Sequence, residues 1–299
     1  MDLDLAQLRA LSAVVAEGTF EAAARALHVT PSAISQRLKA LETTTGRVLL
    51  VRSKPARATS SGEVLLRLSR QLDVLAADAV VELGGAADGT LEVTLPIAVN
   101  ADSLATWVLP ALAPLAQSMR FEFHREDEEH TSTLLREGRV MAAITSEATA
   151  VAGCISTPLG GMRYRPIAAP EFASRWFPDG VTPDALARAP VVVFDRNDDL
   201  QFRYLRRQSR AALHPPLHYV PASADFVSAV RLGFGWAMLP DLQVDPSMRL
   251  VELDQGGTLD IALYWQQWRL RSPSLDRVAS AVREAARGQL TPIAGPAPR

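Results

Sequence analysis

The run Phe20-Glu21-Ala22-Ala23-Ala24-Arg25-Ala26-Leu27-His28-Val29-Thr30-Pro31-Ser32-Ala33-Ile34-Ser35-Gln36-Arg37-Leu38-Lys39-Ala40-Leu41-Glu42 reads as two helices joined by a tight turn. Thr19 can cap the earlier helix, about Phe20 to Leu27, and its alanines let a neighbour cross closely. After His28-Val29, Thr30 is a natural N-cap and Pro31 suits the first helical position, where a missing N–H costs nothing. The next helix turns Ile34, Leu38 and Leu41 inward and shows Ser32, Ser35, Gln36, Arg37 and Lys39 on its other face. Upstream, Leu5, Leu8, Leu11 and Val15 recur at helical spacing, and Gly18 stops that first helix.

Two short helices with a polar third helix predict a helix-turn-helix whose last helix enters the major groove of double-stranded DNA. Gln36 matches adenine N6/N7 and Arg37 matches guanine O6/N7. Ser32, Ser35 and Lys39 suit phosphates, beside Thr30 and Pro31 at the helix start. Val48-Leu49-Leu50-Val51 reads as a strand, and Arg52-Ser53-Lys54-Pro55-Ala56-Arg57 as a wing tip with Arg52, Lys54 and Arg57 as phosphate contacts. Any one of these polar residues also fits an ordinary solvated helix face; the ordered group beside a basic wing is what points to DNA.

Charge supports that division. The 299 residues carry a net charge of −2. Yet Arg25 to Arg70 holds nine basic residues against Glu42 and Glu63, including both lysines of the chain, Lys39 and Lys54. A basic head on a slightly acidic body predicts a phosphate-binding module joined to a part with another task. Hydrophobic residues make up 48% and charged residues 21%, a globular rather than disordered profile. The apolar runs are too short for a membrane span, and no basic segment precedes an apolar one at the N-terminus, so a cytoplasmic protein is expected. Cys154 is alone, which excludes a disulfide framework or a cysteine-based metal site within one chain.

Ser60-Ser61-Gly62-Glu63 has capping-box spacing between Ser60 and Glu63. Leu65, Leu68, Leu72, Leu75 and Ala79 then recur in steps of three and four, predicting a helix that buries this stripe against a partner helix. Packing onto the chain's own head is the alternative. Gly84 to Gly89 follows as a hinge. The expected organisation is therefore a winged helix-turn-helix over 1–59, a linker helix and hinge over 60–89, and an α/β domain over 90–299.

From Thr90 strand and helix patterns alternate. Leu91, Val93, Leu95, Ile97 and Val99 alternate along a first strand. A helix from Ser103 to Leu115, a strand near Phe121–Phe123, a helix near Thr131–Arg136 and a strand Val140–Thr145 complete one lobe, expected over 90–161 and 268–299. A second lobe over 162–267 carries strands at Val191–Phe194, Leu217–Val220, Trp236–Leu239 and Ile261–Trp265, and a helix near Pro273–Arg287 returns to the first. Such sheets bind ligands at strand C-termini and helix N-termini. Asn100, Asp102, Ser103 and Trp107 occupy that place, Thr145 ends a neighbouring strand, and Ser103 as the helix start suits a carboxylate. Acidic residues gather at the other loop ends: Glu126, Asp127 and Glu128, then Asp195 and Asp198, then Asp225 beside Ser223. Each cluster alone fits a solvated loop. Converging on one cleft, they describe a pocket for a zwitterion with an extra positive charge, best met by lysine or arginine.

The head run, with Leu49-Leu50-Val51-Arg52 and Thr59-Ser60-Ser61-Gly62, resembles the N-terminal signature of LysR-type transcriptional regulators. Leu50 stands where that family usually has phenylalanine, and Ala58 and Ser61 where leucine and alanine are common. The runs Asn100 to Trp107, Leu109-Pro110-Ala111-Leu112, Glu126-Asp127-Glu128 and Phe194 to Asp199 resemble the subgroup that senses lysine and arginine. The resemblance implies a periplasmic-binding-protein-like effector domain, a dimer through the linker helix that often pairs into a tetramer, RNA polymerase as a further partner, and control of basic-amino-acid export genes by activation or repression. Some subgroup members are described as inhibitors of chromosome replication initiation, so a protein acting at origins or on DNA architecture without an effector is the second reading. No nucleophile elbow, phosphate loop or zinc-protease motif occurs, and the five histidines are scattered, so neither catalysis, a cofactor nor a metal is expected.

Overall fold

The computed structural model describes residues 2–51, 53–84, 94–125 and 128–293. The head opens with α1 (Leu5–Glu17), capped by Asp4, whose carboxylate accepts from the Ala6 and Gln7 amides at 2.7 and 3.1 Å. α1 buries Leu8, Ala10, Leu11 and Val14; Leu5 stays exposed and Val14 replaces the expected Val15 as the inward residue. Gly18 ends the helix at φ 73°, a backbone conformation that favours glycine. Its carbonyl accepts from the Ala56 amide at 2.8 Å, tying the wing to the α1–α2 turn. α2 (Phe20–Ala26) is capped by Thr19, and α3 (Pro31–Thr45) by Thr30, whose hydroxyl accepts from Ala33 N at 3.1 Å. Ile34, Leu38 and Leu41 of α3 join Leu8, Leu11, Ala23 and Ala24 in one core. The wing is shorter than expected: only β1 (Leu50–Val51) and β2 (Arg57–Ala58) pair, antiparallel, because Val48 is solvent-facing and its carbonyl accepts from the Thr59 hydroxyl instead.

Thr59, not Ser60, caps the linker helix α4 (Ser60–Glu82), accepting from Gly62 N at 3.1 Å. The capping-box reading was one residue late. α4 divides its apolar residues between partners. Leu65 and Leu66 lie in the head's core, with Leu68 packed partly against it; Val74 lies in the core of the following domain. Leu72, Leu75 and Ala79 remain exposed, with Val64, Val80 and Val81. Beyond the head, Arg70 donates to the Gly138 carbonyl at 2.9 Å, Arg67 stands 4.8 Å from the Trp268 ring centre, and Ser272 donates to Asp78 at 2.5 Å.

The second domain begins, within the described residues, at β3 (Thr94–Val99). Leu95 to Val99 are all buried, so the strand does not alternate as predicted: it lies between β4 (Arg120–Arg125) and β5 (Ala142–Thr145), parallel to both and covered on both faces. Leu91 and Val93 lie outside the described residues, as does the hinge beyond Gly84. The helix after β3 starts earlier than expected, as α5 (Ala101–Ser103), widens into a π-helical turn (Leu104–Val108) and tightens again as α6 (Leu109–Leu112). α7 (Glu128–Arg136) packs on β5.

Two long strands, β6 (Cys154–Ala168) and β11 (Leu259–Trp268), pair antiparallel along their length and carry the chain between lobes. One end of β11 pairs with β5; β9 (Ala237–Pro240) and β10 (Val251–Glu252) pair with the far end of β6. The sheet order is β10-β6-β11-β5-β3-β4. The strands belong to both lobes, so an expected boundary at 161/162 cuts through β6. Between them, α8 (Pro170–Trp176), α9 (Pro183–Arg188), β7 (Val191–Val193), α10 (Leu200–Gln208), β8 (Leu217–Tyr219) and α11 (Ser223–Arg231) build the second lobe, with β7 and β8 parallel. α12 (Pro273–Gln289) returns to pack on α6 and β6. Cys154 is buried, and burial pushes its thiol up to about 12, so it stays protonated and packs as an apolar residue.

Candidate functional site

Two surfaces combine geometry with chemistry. The first is the exposed side of α3 with the wing. Thr30, Pro31, Ser32, Ser35, Gln36 and Lys39 all face solvent, as do Lys54 in the wing's turn and Arg57 at the start of β2. Arg37 differs: it is half-buried, lining a shallow recess with Leu5, Arg9 and Leu27. Arg52 lies outside the described residues.

The second is a cleft of about 350 Å³ between the lobes, within the size range of small-molecule sites. It opens where β3 and β5 end in one lobe and β7 ends in the other. Asn100, Ala101, Asp102 and Ser146 come from the first lobe; Phe194, Asp195, Asn197 to Gln201, Arg203, Phe226, Met238, Pro240 and Gln243 from the second; Tyr164 and Ile261 from the crossover strands.

Asp102 is the hub. Its carboxylate accepts from the Tyr164 hydroxyl at 2.8 Å, from Ser223 Oγ at 3.1 Å and from Gln243 Nε2 at 3.2 Å. Gln243 also donates to Ser223 Oγ at 2.6 Å, closing a small ring of polar contacts across the lobes. Burial pushes the Asp102 carboxyl above the usual carboxylate range, and the three donors oppose that only in part. Asp198 is raised too, first by burial and further by the Asp102 charge; amides of Phe194 and Leu200 pull it back at 2.9 and 3.1 Å. Asp195 accepts from Asn197 N and Asp198 N at 2.7 and 3.1 Å, folding the loop into a turn. Asp199 also reaches the cleft but is held by Arg206 through two contacts of 3.0 and 2.6 Å.

Four carboxylates thus line a cleft whose only lining cation among the described residues is Arg203. Phe194, Phe226, Met238 and Ile261 add apolar surface. Phe194 and Phe226 pack with ring centres 6.2 Å apart, and the Arg125 guanidinium stands 5.8 Å from the Phe194 ring. A ligand with an aliphatic chain and a cationic end meets both kinds of wall.

Several expected contacts lie elsewhere. Ser103 is not the helix start but its third residue, fully buried, its hydroxyl without a partner among the described residues and absent from the cleft lining. Trp107 packs in the domain core. Thr145 is buried and accepts from Glu147 N at 3.1 Å, leaving its neighbour Ser146 at the cleft. Asp225 is exposed in the first turn of α11, while Ser223 in the same turn reaches Asp102. Glu126 and Asp127 lie outside the described residues, as does the side chain of Glu128. The sequence reading missed Tyr164, Gln201 and Gln243. Tyr164 sits on a strand that was not foreseen, and single glutamines, Gln201 on α10 and Gln243 in a short helical turn, carry no spacing signal.

Residues 5–63 match the family described as "Bacterial regulatory helix-turn-helix protein, lysR family" and residues 85–287 the "LysR substrate binding domain". This chain belongs to the LysR family of regulators. It is 45% identical over 293 residues to the HTH-type transcriptional regulator LysG of Mycobacterium tuberculosis, covering 96% of this chain and 94% of that one. The fold superposes on the crystal structure of ArgP from Mycobacterium tuberculosis with a TM-score of 0.86 at 43% identity, over 98% of this chain and 100% of the other. Full-length LysG from Corynebacterium glutamicum with bound effector Arg gives 0.76 at 39% identity, over 97% and 100%. Family and relatives make the chain a DNA-binding transcriptional regulator and not an enzyme; its fold is the winged head, linker helix and two-lobed domain of that family.

Proposed function

We propose that this LysR-family regulator binds its operator through α3 and the wing, and that a basic amino acid, arginine or lysine, seated in the interlobe cleft sets that binding. The cleft carries the reading: desolvated Asp102 and Asp198, with Asp195 beside them, face an apolar wall and call for an extended cation. The bound effector Arg of the Corynebacterium glutamicum LysG supports the same ligand class here. Since Ser103 is sealed off, Arg203, the lining cation among the described residues, takes the ligand's carboxylate. The regulated genes are those of basic-amino-acid export and metabolism.

The exposed Leu72, Leu75 and Ala79 of α4 support a homodimer built on that helix, able to pair again into a tetramer, acting in the cytoplasm on double-stranded DNA with RNA polymerase as a further partner. The three functional parts are taken as 1–59, 60–89 and 90–299. Ligand shifts the equilibrium between two arrangements of the DNA-binding heads only by its different affinity for each. Calorimetric titration of the full chain with arginine, lysine, histidine and leucine tests this. Saturable binding of arginine or lysine alone, with a changed DNA footprint, is expected; equal heats for leucine or an unchanged footprint would overturn it.

A further inference from the structure

Two residues lining the cleft each carry a buried side-chain oxygen that makes no hydrogen bond among the described residues. Gln201, on α10, is 1% exposed, and its Nε2 donates to the Val192 carbonyl at 3.3 Å. The same amide also bonds the Asp198 carboxylate. Both neighbours are acceptors, so the nitrogen has to face them, and a flipped amide would set oxygen against oxygen. Gln201 Oε1 is therefore the oxygen, buried and without a partner among the described residues. Asn100, at the start of α5, repeats the pattern from the opposite lobe. It occupies the N-cap position, where asparagine normally accepts from the first turn, yet makes no such bond. It is 5% exposed and its Oδ1 has no partner among the described residues. Both residues line the same cleft. Buried carbonyls of this kind are almost always satisfied, so two in one cavity mark a place for donors that arrive with the ligand.

We propose that Asn100 Oδ1 and Gln201 Oε1, one from each lobe, accept N–H donors from the cationic end of the ligand, so that the cleft selects for donors on that group as well as for charge. The inference rests on the cleft being the site of a basic amino acid. It also explains how a single cation draws the lobes together: a guanidinium or primary ammonium has donors enough to engage both amides while its charge faces Asp102 and Asp198. A quaternary ammonium has the charge and no donor.

Titration of the full-length protein with arginine, lysine and Nε-trimethyl-lysine separates these requirements. Lysine is expected to bind about 10- to 100-fold more tightly than trimethyl-lysine, the range of a hydrogen bond to a charged group. Asn100→Ala and Gln201→Met should each weaken arginine by a similar factor and narrow the gap between lysine and its trimethyl form, which mere crowding of the methyl groups would leave unchanged. Asn100→Ala removes no cap bond, so it keeps the test clean if Gln201→Met folds poorly. Equal binding of lysine and trimethyl-lysine, or wild-type affinity in Asn100→Ala, overturns the amide bridge while leaving the basic-ligand reading intact. If the unaltered protein binds neither arginine nor lysine, that reading falls and takes the bridge with it.

Discussion

Asp102 of one lobe accepts a hydrogen bond from the Ser223 hydroxyl of the other at 3.1 Å, so the lobes meet through a carboxylate that burial makes reluctant to ionise. Its folded-state pKa lies above the unfolded one. The stability this group contributes is therefore fully present below the ordinary carboxylate range and is lost as pH rises through the raised value. Ligand binding runs the other way, because a cation needs the ionised form. Arginine affinity is expected to fall as pH drops from neutrality toward the usual carboxylate range, with no acid loss of unliganded stability from Asp102. Asp102→Asn should weaken binding and flatten the profile, leaving a remainder from Asp198, which is shifted in the same direction. Calorimetry across pH for both proteins checks this; parallel profiles would count against Asp102 as the titrating group.

On DNA, exposed Gln36 and exposed Lys54 are expected to behave differently. Gln36→Ala should cost about 1–3 kcal/mol on the operator and little on random duplex, as for a lost base contact. Lys54→Ala should weaken both and lower the salt slope by about one. Half-buried Arg37 is expected to show a smaller discrimination effect than Gln36. Anisotropy titrations at several salt concentrations distinguish these outcomes.

The linker helix offers a pair of contrasting substitutions. Leu72 and Leu75 are each 36% exposed, so replacing both with glutamate should leave the melting of the chain nearly unchanged but shift sedimentation from dimer to monomer. Leu65, 7% exposed within the head's core, should lose about 2–5 kcal/mol as Leu65→Ala.

Gly62 lies where the start of α4 crosses the wing. A Cβ there would stand 2.1 Å from the Leu49 carbonyl oxygen, a backbone atom held between β1 and the Thr59 amide. Gly62→Ala is expected to destabilise the head by about 1–3 kcal/mol and weaken operator binding. Calorimetric melting beside DNA titration would show both losses together.

The head was largely legible because its signals are local: Thr30 before Pro31, Gly18 after an apolar stripe, and a basic hairpin are short-range patterns with one physical meaning each. The effector domain was legible only in part. β6 was missed because Gly160, Gly161 and Pro166 interrupt it, and what keeps it a strand is pairing with β11 about a hundred residues away. Ser103 was misplaced because a serine near a predicted helix start resembles a cap, whereas Asn100 holds that position. Tyr164 and Gln243 reach Asp102 only through tertiary folding.

The attachments of α4 beyond the head end on Gly138, Trp268 and Ser272, all in the first lobe or the segment leading back to it. Head, linker helix and first lobe are therefore tied together by contacts within one subunit. If the second lobe alone moves when the cleft closes, the DNA-reading helix of a lone molecule stays where it was. In the proposed dimer, the signal would then pass to the double helix through the neighbouring subunit, and the pair would be the smallest unit able to respond.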